Sequence, residues 1–490
     1  MPTILAFSIL LSVIQFAMNR SLWLDEANLA RNIISRSFFE LLYPLDHVQV
    51  APILYLQLTK AFSLLTPNLD YGLRILPLIA FWGSLFLFYR TVRILFRTAR
   101  ARELAIILAL SLFAFNTTIL YYSGEVKQYM TDVFVTCLFL FLLVKEYKNP
   151  VNRYWCLGLA GVAAVWLSNI APLVLTGVGG YLLLKAGLAD KRVLRHTVMV
   201  GVAWLGSFAL YYRLFVHTHP TRDFMVNYWS GRGGFLPTDP FSPDFLYFLK
   251  RTADHLGSLA PFGSRAVAAV LLVLAIMGIV FMFKHRKLPL LFLIIAPVLA
   301  HLVLSAMKLY PIDRRLVLYL FPLLVITVVY GFLWLLEFVS GDRASRYLRP
   351  AMYLIPLALL LSLRGDFPRE GQEIKKSLQF IELHEVAGQR LFLHAGSIAA
   401  FSYYSQTGFF DASVFSGVIE ADWLWTNERL FSELMACGDG GEGGDGPCWV
   451  LFSHDSQEFE EYMLKQFQDA GVAPLKTFRT RGSAAYLLDL

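Results

Sequence analysis

Apolar runs of 15 to 23 residues recur along this 490-residue chain from residue 2 to residue 363. A helix needs about 20 such residues to cross the hydrocarbon core of a bilayer, so each run is a candidate span. They lie at approximately 2–19, 71–89, 103–120, 128–145, 154–168, 171–185, 197–215, 265–283, 288–306, 315–337 and 349–363. The chain is therefore expected to be mainly α, a polytopic membrane protein of about eleven transmembrane helices. Composition agrees, because 16% of the residues are charged where a soluble protein carries about 25%. The first run has no basic stretch before it and no small-x-small site after it, so it is expected to stay as a span rather than be cleaved as a signal peptide.

The formal charge of +7 is no sign of nucleic-acid binding, because Lys and Arg fall largely in short segments between the runs. Those segments are "YRTVRILFRTARARE", "KEYKNPVNR", "KAGLADKRVLRH", "KHRK" and "SGDRASRYLRP", and such segments mark cytoplasmic loops. All five fit inside only if "APILYLQLTKAFSLLT", residues 51–66, does not span. Its short length, Gln57 and Lys60 make it a helix on the outer surface instead. The N-terminus is then inside, and the outward segments are 20–70, 121–127, 217–263, 307–314 and everything after 363.

Residues 364–490 have a different composition and form an expected extracytoplasmic α/β domain, separate from a membrane domain over 1–363 with outer-surface helices in 21–66. "RLFLHAGS" and "PCWVLFSHD" read as buried strands, "SQEFEEYMLKQFQDAG" as a helix with a Ser start and a Gly stop, and "SAAYLLDL" as a closing strand. Cys437 and Cys448 flank the Gly-rich "CGDGGEGGDGPC", and outside the membrane such a pair is expected to form a disulfide. Two free thiols are the alternative.

Ionisable groups are costly in lipid, so their placement reports on function. Here they collect at the outer ends of spans in three groups. The first is Asp25 and Glu26 in "SLWLDEANLARNII", followed by apolar residues at helical spacing (Ala30, Ile33, Ile34, Phe38, Leu41, Leu42) that predict an amphipathic surface helix. Asp25 could merely cap that helix while Glu26 favours its dipole. Adjacent helical residues point about 100° apart, so in a catalytic site one carboxylate would act as base while the other orients a partner. The second group is Glu125 and Lys127 in "YYSGEVKQYMTD", which either face the first group across an outward cavity or pair with each other in a solvated turn. The third is "MKLYPIDRRLVLYLFP", where Arg314 and Arg315 suit a phosphate oxyanion or anchor the span by snorkelling. His47 and Gln49 could add donors to the same cavity, and Tyr310 joins His47 as a further candidate for the phosphate. His217 and His219 have no third ligand nearby and read as loop histidines.

With these groups in order, the chain resembles the C-type (GT-C) membrane glycosyltransferases, close to bacterial relatives of protein O-mannosyltransferases and lipid A aminoarabinose transferases. The resemblance covers about residues 1–363 and rests on "LWLDEANLARNI", "QVAPILYLQLTKAF", "YYSGEVKQYMTDVF" and "YPIDRRLVLYLFPLL", with "NYWSGRGGFLPTDP" similar to the large outer loop. It implies a sugar donor carried on a polyprenyl monophosphate, with Asp25 as general base and Glu125 as a second acidic residue. It also implies phosphate contacts for Lys127 and for Arg314 or Arg315. Two departures stand out: Ala51 occupies the place of an aminoarabinose-transferase Lys, and Lys127 stands where many relatives have Arg.

The chemistry is compatible. Displacing polyprenyl phosphate from a sugar C1 by an acceptor hydroxyl needs a base at the hydroxyl and cations on the leaving phosphate. Such a single displacement inverts the anomeric centre. No cofactor is required, and a divalent metal, though two carboxylates could hold one, is not called for. The expected partners are membrane lipids, the lipid-linked donor, and a glycan, lipid or protein acceptor. The expected location is a bacterial inner membrane. A lipid flippase is the rival, but it predicts internal repeats and polar, broken helices at mid-membrane, and neither is evident.

Overall fold

The computed structural model describes the chain except residues 100, 187–189, 218, 341–343, 438–446 and 455–456. A helix meets each expected apolar run: Pro2–Ala17, Leu69–Leu95, Arg102–Ala114, Tyr129–Val144, Pro150–Leu167, Ala171–Ala186, Lys191–Tyr211, Arg265–Lys284, Leu288–Ala306, Phe321–Ser340 and Ala344–Leu361. Five stretches among the described residues are long and apolar enough to cross a membrane unaided: Leu69–Leu95, Lys191–Val216, Arg265–Lys284, Leu288–Ala306 and Leu318–Phe338. The chain is a multi-pass membrane protein. The helices pack around Phe81, Phe88, Phe113 and Phe139, all fully or almost fully buried. Helices Arg265–Lys284 and Phe321–Ser340 cross with backbones in contact. A Cβ on Gly278 would lie 2.0 Å from the Thr327 carbonyl oxygen, and one on Gly331 would lie 1.8 Å from that of Leu274. Small residues at such a crossing give two apolar helices the close approach that lipid alone does not drive.

Three expected elements differ. The run 103–120 is not one helix, because Asn116 accepts the Ile119 N–H and starts a separate short helix, Thr117–Tyr122. The late span begins at Phe321 rather than 315, after a turn and a 3₁₀ segment, Leu318–Leu320. This leaves Arg314 and Arg315 in irregular chain at the end of the span. The surface helix expected up to Leu42 runs only from Leu24 to Ser35. "SFFE" breaks the apolar period by forming a capping box, with Ser37 N–H donating to Glu40 and Glu40 N–H to the Ser37 hydroxyl. The helix in 51–66 is Ile53–Ser63, eleven residues and too short to span.

Beyond Arg364 lies a five-stranded sheet of order β2-β1-β3-β5-β4. Its strands are β1 (Arg390–Leu393), β2 (Gly417–Glu420), β3 (Cys448–Ser453), β4 (Pro474–Thr480) and β5 (Ser483–Leu488). β1 pairs in parallel with both β2 and β3, while β5 runs antiparallel to β3 and β4. The expected strands and the helix over Gln457–Asp469 are present, but "RLFLHAGS" is a strand only to Leu393 and opens a helix at Ala395. Side chains alternate between two cores: Leu391, Leu393, Trp449 and Leu451 point to one face, Phe392, Val450 and Phe452 to the other. The first face does not have a core of its own. It shares one with Leu22, Leu29, Tyr55 and Val126 of the membrane part. A disulfide joins Cys437 to Cys448, with Cα atoms 6.1 Å apart. The Gly-rich stretch between them lies outside the described residues.

Candidate active site

The helix Leu24–Ser35 sets Asp25 and Glu26 on different tasks. Its N-cap is Trp23, not Asp25, and the Glu26 carboxylate accepts the Trp23 N–H. Glu26 is fully buried and also accepts two bonds from Arg20, at 2.6 and 3.1 Å, and the Val126 N–H at 2.7 Å. It therefore ties this helix to the turn that carries Glu125 and Lys127. Asp25, one position earlier, turns the other way. Its carboxylate accepts from Arg315 at 2.9 Å, and its side chain keeps 26% of its exposure.

Arg315 is held from several sides. Its guanidinium lies 5.4 to 6.0 Å from the ring centres of Trp23, Tyr129 and Trp229. Asp313 lies 4.0 Å from its Nε and is itself bound by Arg251 at 2.6 Å. Lys127 is buried beside this pair and donates to Gln49 at 2.7 Å. Burial pushes the Lys127 pKa down, and the Asp25 charge opposes that only in part. Asp25 is also desolvated, which raises its pKa, but Lys127 and then Arg315 outweigh this and leave it below the ordinary aspartate value.

Glu125 is buried behind Glu26. Desolvation and then the Glu26 charge push its pKa up to about 7, against the pull of Arg20. Arg20 lies 4.0 Å away, and the Glu125 Oε1 finds no hydrogen-bond partner among the described residues.

Of the sequence candidates, Asp25, Glu26, Glu125, Lys127 and Arg315 thus converge, with Gln49. Arg314 does not join them. It lines a cavity of about 530 Å³ with Arg265, Arg364, Arg369 and Asp254, and neither Asp25, Lys127 nor Arg315 lines that cavity. His47 is exposed on a left-handed turn, and its carbonyl rather than its ring serves the site by accepting from Gln49. Tyr310 packs edge-on against His301, 5.2 Å between centres, and no bond to Arg315 or Lys127 is found for it among the described residues. There, too, no three His, Cys, Asp or Glu residues cluster as metal ligands.

Sequence reasoning missed Arg20, Trp23, Asp313 and Arg251. Arg20 directly precedes the motif and Trp23 lies within it, so the motif's own context was the available signal; the Arg251–Asp313 pair is 62 residues apart and left none. It also missed the hold of the C-terminal sheet domain on the segment after the first helix. Tyr404 accepts the Leu22 N–H at 2.7 Å, and Lys375 donates to the Asn19 carbonyl and to Asp70 at 2.6 and 2.7 Å.

No protein-family model and no curated protein matches the chain in sequence. Solved structures do match in fold. The crystal structure of ArnT from Cupriavidus metallidurans bound to undecaprenyl phosphate superposes with a TM-score of 0.52 at 12% identity, over 100% of this chain and 97% of that one. The same protein in its apo state gives 0.51 at 12% identity, over 99% and 97%. From end to end, the C-terminal sheet included, the chain shares the fold of that ArnT structure.

Proposed function

We propose that this protein is a glycosyltransferase that moves a sugar, hexose or pentose, from a polyprenyl-phosphate donor to an acceptor hydroxyl with inversion. The observation that carries it is the convergence of Asp25, Arg315 and Lys127, a carboxylate and two cations at one spot. The bound undecaprenyl phosphate of the ArnT structure supports the donor class. In this scheme Lys127 and Arg315 hold the donor phosphate, which separates Arg315 from Arg314. The acceptor hydroxyl attacks the sugar C1 while Asp25 takes its proton. The bond from C1 to the phosphate oxygen breaks, and its electron pair leaves on the polyprenyl phosphate, where the two cations offset the charge.

A carboxylate paired with Arg315 is a weak base. An incoming phosphate draws that arginine away and adds negative charge nearby, and both effects raise the Asp25 pKa toward the range a general base needs. Glu125 already titrates near 7, yet it is 1% exposed and sits behind Glu26, so it is not the group that meets the acceptor. Its role is to complete the Arg20–Glu26 cluster. The site and residues 364–490 belong on the outer side of a bacterial inner membrane, with about eleven spans and a cytoplasmic N-terminus, following the basic inter-span segments.

The test is direct. Purified protein incubated with an undecaprenyl-phosphate-linked sugar and an envelope extract should release undecaprenyl phosphate and yield a product of opposite anomeric configuration by NMR. Absence of release across pentosyl and hexosyl donors would sink the proposal.

A further inference from the structure

The three parallel strands of the outer sheet end together, close to Asp25. The chain leaving β1 turns toward β2, through the helix Ala395–Gln406, whereas the chain leaving β3 turns toward β4. The ends of β1 and β3 therefore mark a switch point, the place where open α/β sheets bind ligands. His394 follows β1, His454 follows β3, and Trp423 lies just past β2. His454 sits at φ 66°, a left-handed backbone that a non-glycine residue adopts at some cost. Its ring stacks on Trp23, 5.8 Å between centres and 26° from parallel. Trp423 stands edge-on to both His454 and His394, at 6.4 and 6.0 Å, and remains 58% exposed. Trp23 is two residues from Asp25, so this aromatic wall runs from the reacting carboxylate out onto the sheet.

Two polar atoms on the wall lack partners. The Trp23 Nε1–H and the Gln372 Oε1 are both buried without a hydrogen bond among the described residues, although Gln372 Nε2 meets the His454 ring. One is a donor and the other an acceptor. Buried polar groups are rarely left unpaired, and a hydroxyl, which both donates and accepts, satisfies either. Flat aromatic faces beside hydroxyl-seeking groups are the chemistry of a saccharide site. The donor phosphate is assigned to Lys127 and Arg315, on the Arg315 side of Trp23, which leaves the wall beyond Trp23 for the acceptor.

We propose that the ends of β1, β2 and β3, together with Trp23, bind a sugar ring of the acceptor. His454 and Trp423 flank the ring, and Trp23 Nε1 and Gln372 Oε1 bond its hydroxyls. The assignment to the acceptor rests on the glycosyltransferase reading, but binding of a saccharide here is measurable without it. Full-length protein in lipid nanodiscs is mixed with methyl α-glucoside, methyl α-mannoside and methyl β-N-acetylglucosaminide, and saturation-transfer NMR reads their ring protons. At least one glycoside should give a signal that falls by about fivefold or more in Trp423→Ala and in His454→Ala. Undecaprenyl phosphate binding, measured on the same samples, should stay within about twofold. Trp423 is exposed, so its variant folds even if the His454 variant does not, and thermal melts identify a variant that has unfolded. No signal from the wild type with any of the three glycosides, or an undiminished signal in folded Trp423→Ala, overturns the proposal. A saccharide signal lost in the variants, alongside no transfer from any lipid-linked donor, supports the site and removes the glycosyltransferase reading instead.

Discussion

Replacing Asp25 with Asn should make the donor bind more tightly while almost abolishing transfer. In the free protein the Asp25 carboxylate occupies Arg315 at 2.9 Å, the cation assigned to the phosphate. The incoming lipid phosphate must break that bond. A hydrogen bond to a charged group contributes about 1.5–3 kcal/mol. The pair here is not fully buried, at 18% and 26% exposure, so solvent screening brings its net worth down to about 1–2 kcal/mol. Asn keeps the shape and gives up the charge, and undecaprenyl phosphate affinity should then rise about 5- to 30-fold. Transfer should fall ~10²–10⁴-fold, the usual contribution of a positioned base. Calorimetric titration of undecaprenyl phosphate into nanodisc-embedded protein gives the first number and release of labelled lipid phosphate gives the second. Helix loss is not an alternative explanation, because Trp23 and Glu26 carry the cap. Affinity that is unchanged or weaker in Asp25→Asn would refute the competition for Arg315.

Four further outcomes are expected. Glu125 is raised to about 7 in the fold, so the stability it gives is full below the ordinary glutamate pKa near 4.5 and is lost as pH rises through 7, a change on the order of 3 kcal/mol. Glu125→Gln should flatten that fall in thermal melts taken between pH 5 and 8. Tyr404→Phe leaves the buried Leu22 N–H unpaired, and should lower stability by about 1–3 kcal/mol and the melting temperature with it. Gly331→Leu forces a side chain into the Leu274 carbonyl and should abolish or greatly reduce the monodisperse yield on size exclusion. If Lys127 and Arg315 carry the leaving charge, incubation with EDTA should leave the rate of transfer within about twofold, and a loss restored by a divalent cation would bring a metal into the mechanism.

The membrane helices were legible because a bilayer imposes one long apolar period that no other environment requires. Their ends were less so. Asn116 and the Ser37–Glu40 pair each outweigh the apolar pattern with hydrogen bonds local to a few residues. In the C-terminal domain β1 and β3 announced themselves as short apolar runs, whereas β4, "PLKTFRT", buries no side chain fully and carries no such run. The site followed the same logic. Asp25, Glu125 and Lys127 were visible because charge next to a span is unusual. The choice between Arg314 and Arg315 was not visible, since adjacent residues share every sequence signal and differ only in direction. The contacts of Tyr404, Lys375 and His454 with Leu22, Asn19, Asp70 and Trp23 span 305 residues or more in sequence, a distance over which local patterns carry nothing.

Those long-range contacts also bear on how the protein is made. The segment carrying Asp25 leaves the ribosome well before the helices that clasp it, Ile374–Glu382 and Ala395–Gln406. Until they arrive, the Leu22 N–H and the Asp70 carboxylate have no Tyr404 or Lys375 to meet, and Leu22, Leu29 and Tyr55 lack half of their shared core. A nascent chain with its spans already inserted therefore holds the Asp25 segment without its partners. Synthesis of these two helices, rather than insertion of the spans, is the event that closes the core around that segment.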